Sequence, residues 1–148
     1  MRLFHGGVPG LSRGDLLQPG HSRDNRHPGC PVCEARAAGK DHPLDPATRH
    51  ADRVYLTEDR EYARYYASLY GRGDLYRVEP VGELVPSTED KFRSYTCAAV
   101  RVVAVYARSV TLTMAERRRL YRRWAAFEGI EARDADYEFG QMISGMRR

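Results

Sequence analysis

The sequence predicts an α+β domain, on three observations. Residues 2–5 form a short apolar strand that runs into His5-Gly6-Gly7, Thr57 opens a tyrosine-rich helical stretch, and Val100 to Val110 is a β-branched run with the alternation of a largely buried strand. At 148 residues the chain suits one domain built on a single core.

The elements follow in order. After the first strand, residues 8–20 read as a loop, with Gly10, Gly14 and Gly20 able to bring backbone across a ligand face. Residues 21–50 are polar, rich in Pro, His and Arg and without periodicity, and read as a long inserted loop. Val54-Tyr55-Leu56-Thr57 is a strand. Thr57 is placed to cap the next helix, with Glu58 and Asp59 in its first turn, a stripe of Tyr62, Tyr65, Tyr66, Leu69 and Tyr70 against the sheet, and Gly71 as its stop. Strands follow at Leu75 to Glu79 and Glu83 to Val85, and then the Val100 run. Thr113-Met114-Ala115-Glu116 is a capping box. It opens a C-terminal helical extension, about 113–148, with Leu120, Tyr121, Trp124 and Phe127 inward, and a short helix near Tyr137 to Ile143 completes it.

Composition narrows the function classes. A net charge of +4, from 24 Lys+Arg against 20 Asp+Glu, is compatible with an anionic dinucleotide or with nucleic acid and selects neither. The densest cationic cluster is Arg117, Arg118, Arg119, Arg122 and Arg123, a face open to nucleic acid. No apolar run approaches the roughly 20 residues of a membrane span, and the first strand follows Arg2 directly, so no membrane and a cytoplasmic location are expected. Three cysteines, with Cys30 and Cys33 close together, argue against a disulfide framework, and Cys97 reads as a core residue.

Two stretches carry chemistry. The imidazole of His5 stands beside glycines that allow a ligand close to the main chain. Tyr55 in a strand and Tyr66 on the following helix, with ten residues between them, can face each other across a slot one aromatic ring wide and grip a flat ligand by stacking.

Phe4-His5-Gly6 followed by Tyr55-Leu56-Thr57 through Tyr65-Tyr66 resembles the His-Tyr signature of the diphtheria-toxin-like and PARP-like ADP-ribosyltransferases. The pattern is similar in particular to the small rifampin ADP-ribosyltransferases, the Arr family, at Gly14-Asp15-Leu16-Leu17, Pro19-Gly20, Val54-Tyr55-Leu56-Thr57, Val78-Glu79-Pro80 and Arg93-Ser94-Tyr95, which together span most of residues 2–106 in order. The resemblance implies an ADP-ribosyltransferase fold of split antiparallel sheets with flanking helices. NAD would be the substrate, its nicotinamide sandwiched by Tyr55 and Tyr66. His5 would bond a ribose hydroxyl or the carboxamide, and backbone at Gly6 and Gly7 would hold the carboxamide. Nicotinamide leaves, and an unidentified acceptor takes ADP-ribose.

Members of the wider group also use a carboxylate. An ungapped reading from Val78-Glu79-Pro80 puts Ser87 at that place, while Glu89 and Asp90 come into register with a small gap and are the expected catalytic acids; Glu79, in a strand-end setting, is the weaker choice. A larger departure is the insertion running from His27-Pro28-Gly29-Cys30-Pro31-Val32-Cys33 to His50. Cys30 and Cys33, completed by two of His21, His27, His42 and His50, have the composition of a tetrahedral zinc site, of structural type, that would order the loop. An inserted loop on the acceptor side leaves small-molecule, protein and nucleic-acid acceptors open. The rival readings are an NAD glycohydrolase or RNA 2'-phosphotransferase-like enzyme, and a non-catalytic module that binds NAD or ADP-ribose.

Overall fold

The structure, a computed structural model, describes residues 1–19, 31–40, 50, 52–69 and 73–146. The chain divides into two compact units, Met1–Thr111 and Leu112–Arg148. The first contains β1 (Leu3–Gly7), β2 (Leu16–Leu17), α1 (Pro31–Ala37), β3 (Val54–Thr57), α2 (Arg60–Leu69), β4 (Asp74–Val81), β5 (Val85–Ser87), β6 (Ser94–Cys97) and β7 (Ala99–Ala107), and the second α3 (Met114–Ala126) and α4 (Ala132–Met146).

The α+β class holds: the described strands form one seven-stranded sheet in the order β2-β7-β4-β1-β3-β6-β5, with antiparallel neighbours throughout. Two separate sheets were expected, and one continuous sheet is found. It has a thin seam, however. β1 pairs with β4 from Leu3↔Val78 to Gly7↔Asp74 but meets β3 only at Phe4↔Thr57. Side chains from both halves meet in one core of Leu3, Leu17, Val54, Leu56, Tyr76, Val78, Cys97, Val100 and Val102, so Cys97 is the core residue its sequence setting suggested.

Helix α2 seats on β1 through its smallest residues. A Cβ added to Gly6 would lie 1.8 Å from the Ala63 carbonyl oxygen, and one on Gly73 would lie 2.4 Å from that of Ala67. Glycine at both positions lets the helix backbone come down on the strands. The buried face of α2 is therefore Tyr62, Ala63 and Ala67; Tyr65, Tyr66 and Leu69 are half-buried, so the expected all-tyrosine stripe is replaced by an alanine seat, and Tyr70 and Gly71 lie outside the described residues. The cap also shifts. The Asp59 carboxylate accepts from the Tyr62 N–H at 2.9 Å, whereas the Thr57 hydroxyl donates to the Arg93 carbonyl oxygen at 2.7 Å and accepts from the Asp59 N–H at 3.0 Å. Asp59, two residues later than expected, closes the helix start, and Glu58 and Asp59 precede the first turn.

Three more elements differ from expectation. Residues 31–37 inside the predicted loop are helical. β6, too polar to stand out as a strand, pairs with β3 from Val54↔Cys97 to Thr57↔Ser94. The strand expected at Glu83 to Val85 lies at Val85–Ser87, after a turn at Gly82 (φ +87°), and Pro86 is tolerated because β5 is an edge. β7 buries Ala99, Val100 and Val102 with Arg101 turned outward, and from Val103 onward, where its ladder with β4 shifts register, it is half-buried with Tyr106 exposed.

Loop 8–15 is fastened to β4 and β7. The Gly10 N–H donates to Asp74 at 2.9 Å, and the Tyr76 hydroxyl donates to the Val8 carbonyl oxygen at 2.5 Å and accepts from the Leu11 N–H at 3.1 Å. Asp74 is 2 % exposed and also receives Arg108 at 2.6 Å and the Ser109 N–H at 2.8 Å, which steadies Ser109 at φ +47°.

In the second unit the predicted capping box is present, Thr113 and Glu116 bonding reciprocally at the start of α3. The second helix is longer than expected and buries Ala135 and Phe139, four residues apart. Phe127, expected inward, is 59 % exposed because α3 ends one residue before it.

Candidate functional site

The side chains that sequence reasoning singled out come from four separated stretches, and the fold links them. At the seam, where the β1–β3 ladder ends, His5 Nδ1 lies 2.7 Å from the Tyr55 carbonyl oxygen. A carbonyl oxygen only accepts, so Nδ1 carries the proton and Nε2 is left as an acceptor. The half-buried imidazole is held below its ordinary value of 6.5 by burial, against the opposing pull of the Tyr55 bond, and is neutral at pH 7.

The glycines after His5 have packing duties that the sequence did not disclose. Gly7 leaves space for the imidazole, since a Cβ there would lie 2.7 Å from His5 Nε2. Gly7 is buried and Gly6 is pressed against α2, so at both positions the missing Cβ serves packing within the fold.

Tyr55 carries the linkage onward. Its hydroxyl donates to Glu89 Oε2 and accepts from the His50 N–H at 3.1 Å. Burial and the bond to Glu89 push the phenol up to about 12, so it stays protonated and a donor. The Glu89 N–H in turn donates to the Ser87 hydroxyl at 3.3 Å. Ser87, the residue in ungapped register, thus serves the turn that presents Glu89, and Glu79 lies on β4 opposite Arg101.

Asp90 turns to α2, where it accepts from the Tyr62 hydroxyl, and the Tyr62 and Tyr66 hydroxyls are 3.0 Å apart. Burial raises the Asp90 carboxyl above the ordinary range, a rise that the Tyr62 bond opposes and the Glu89 charge supports. The charges of Glu89 and Asp90 both act on Tyr55 and on Tyr66, so the carboxylate pair stands within electrostatic reach of both phenols. His5, Tyr55 and Glu89 thus form one hydrogen-bonded set and Asp90, Tyr62 and Tyr66 a second, joined through the adjacent positions of Glu89 and Asp90. Tyr62 is the member sequence reasoning missed. It was read as helix stripe, and its role depends on Asp90, which is 28 residues away.

Other expectations fall elsewhere. Cys33 is 1 % exposed on α1, while Cys30, His21, His27 and His42 lie outside the described residues; among the described residues no cluster of His, Cys, Asp or Glu could hold a metal ion. On α3, Arg122 is bound bidentately by Asp136 of α4, which removes it from the expected cationic face, and Arg118 is exposed. Among the described residues no helix is long and apolar enough to cross a membrane. No protein-family model and no curated protein matches the chain.

Proposed function

We propose that the chain is an NAD-dependent mono-ADP-ribosyltransferase of ADP-ribosyltransferase fold, releasing nicotinamide and transferring ADP-ribose to an acceptor. The observation that carries this reading is the pair of hydrogen-bonded sets, His5–Tyr55–Glu89 and Asp90–Tyr62–Tyr66, that the adjacent residues Glu89 and Asp90 bring together beside β3 and α2.

In this reading Tyr55 and Tyr66 flank the nicotinamide ring, and His5 Nε2 accepts from a ribose hydroxyl. The bond from the anomeric carbon to nicotinamide breaks with its electron pair going to nicotinamide. A bond from that carbon to the acceptor forms, and the acceptor gives up a proton. The carboxylates of Glu89 and Asp90 stabilise the positive charge that develops on the ribose and take that proton. The Tyr55 and Tyr62 hydroxyls, donating to these half-buried carboxylates, hold them in place.

Incubation with NAD, with free nicotinamide and acceptor mass both measured, tests the reading. Nicotinamide release with a mass gain on an added protein, nucleic acid or small molecule supports transfer, and release without any acceptor gain points to a glycohydrolase. Release only with 2'-phosphorylated RNA points to phosphotransfer. Binding without release in wild type leaves a binding module. Glu89→Gln and Asp90→Asn are expected to retain NAD binding and lose release.

For the inserted segment, Cys30 and Cys33 with two of His21, His27, His42 and His50 remain the proposed ligands of a structural zinc. Metal analysis of protein purified without a histidine tag is expected to find zinc that Cys30→Ser removes.

A further inference from the structure

Tyr62 lies one helical turn before Tyr66 and is 3 % exposed. Its ring packs on Phe92 at 4.7 Å between centroids and meets Tyr66 edge-on at 5.0 Å, so its hydroxyl is fixed in place. That hydroxyl donates to Asp90 Oδ1. A phenol has a single proton, and with it committed to Asp90 the 3.0 Å approach of the two hydroxyls requires Tyr66 to donate to Tyr62. The result is a directed chain from Tyr66 through Tyr62 to Asp90, in which each bond polarises the next.

We propose that Tyr62 is a positioning residue, which with Tyr66 aims the Asp90 carboxylate at the acceptor while Glu89 stays with Tyr55 on the nicotinamide side. The two adjacent acids thereby acquire separate tasks. Glu89 is tied to Tyr55 of β3, whose carbonyl oxygen accepts from His5 of β1, and Asp90 is tied to α2. In turnover the acceptor's O–H or N–H bonds to the anomeric carbon of the ribose as nicotinamide departs, and its proton passes to Asp90. This role in turnover rests on the transferase reading above; the hydrogen bonds stand without it.

The groups facing Asp90 are Tyr62 and Tyr66 of α2, Tyr55 of β3, Ser94 of β6 and its neighbour Glu89. The Tyr62 bond lowers the Asp90 carboxyl against the upward push of burial, so deleting the hydroxyl moves Asp90 further up. Two readouts test the relay in the full chain: the titration of the Asp90 side-chain carboxyl carbon by NMR without NAD, and the pH profile of nicotinamide release from NAD. In Tyr62→Phe, which keeps the ring, the Asp90 midpoint is expected to rise and the acid limb of the profile to move up with it. The kcat falls about tenfold, the worth of one hydrogen bond, with KM for NAD unchanged. Tyr66→Phe gives a smaller rise.

A folded Tyr62→Phe protein whose Asp90 midpoint does not move overturns the proposal. If that variant does not fold, Tyr66→Phe decides alone, and an unmoved midpoint overturns it. A moved midpoint in a chain whose wild type releases no nicotinamide supports the relay and sets aside the transferase reading.

Discussion

His5 is neutral, and its tautomer is set by one carbonyl oxygen, which is why a backbone bond from β3 matters as much as the imidazole itself. Replacing His5 or Tyr55 by Ala is expected to weaken NAD binding, by about 1 kcal/mol or more for the lost ring contact of Tyr55. Calorimetry showing wild-type affinity in both variants removes NAD from this site. Gly6 makes a stricter demand. A methyl group there collides with the Ala63 carbonyl, and since backbone cannot step aside as a flexible side chain can, Gly6→Ala is expected to cost about 1–3 kcal/mol in urea unfolding. At this scale the sequence was legible in identity and illegible in role. His5, Tyr55 and Tyr66 could be picked out from order and spacing, and Glu89 and Asp90 only as what the resemblance implies, but that Gly6 seats a helix and Gly7 clears an imidazole depends on contacts with α2, distant in the chain, and on a side-chain rotamer.

Among the elements, α2 bears the most consequence, because it carries Tyr62 and Tyr66 and is held at its start by Asp59. Asp59→Ala is expected to cost about 1 kcal/mol of stability, with reduced helical signal on warming; an unchanged melting curve shows that Thr57, not Asp59, caps the helix. The helix, the first strand and the capping box of α3 were readable because periodicity, β-branching and a Thr-x-x-Glu spacing are local signals. β6 was not. Ser94-Tyr95-Thr96-Cys97 becomes a strand by pairing with β3, and its buried Thr96 accepts from Arg53, 43 positions away, a partner that only the fold supplies. The stripe on α2 was misjudged for a related reason: tyrosine is the larger apolar surface, but the close approach allowed by Gly6 and Gly73 favours alanine beneath the helix.

For the molecule as a whole, Asp74 ties loop 8–15, β4 and the turn after β7 together from a buried position. Burial alone would raise its carboxyl, but the Gly10 N–H, Arg108 and the Ser109 N–H outweigh it and hold the carboxyl below the ordinary 3.8. The unfolded chain takes up this proton before the folded one does, so the stabilisation is complete above the ordinary value and is lost as pH falls through the depressed folded one. Wild-type stability in urea is therefore expected to drop in that acid window. Asp74→Asn should be less stable at neutral pH and show a shallower drop; equal acid slopes for the two proteins assign the loss to other groups.

The single rung between β1 and β3 has one more effect. If NAD binds as proposed, gripped by His5 on one strand and by Tyr55 and Glu89 on the other side of that rung, it would act as a removable cross-strand fastening, supplying noncovalently the continuity that the main chain omits. Occupancy and cohesion of the sheet would then be the same equilibrium read from two ends: the ligand would tighten the seam in proportion to its affinity for the closed form, and loosening the seam would weaken its binding.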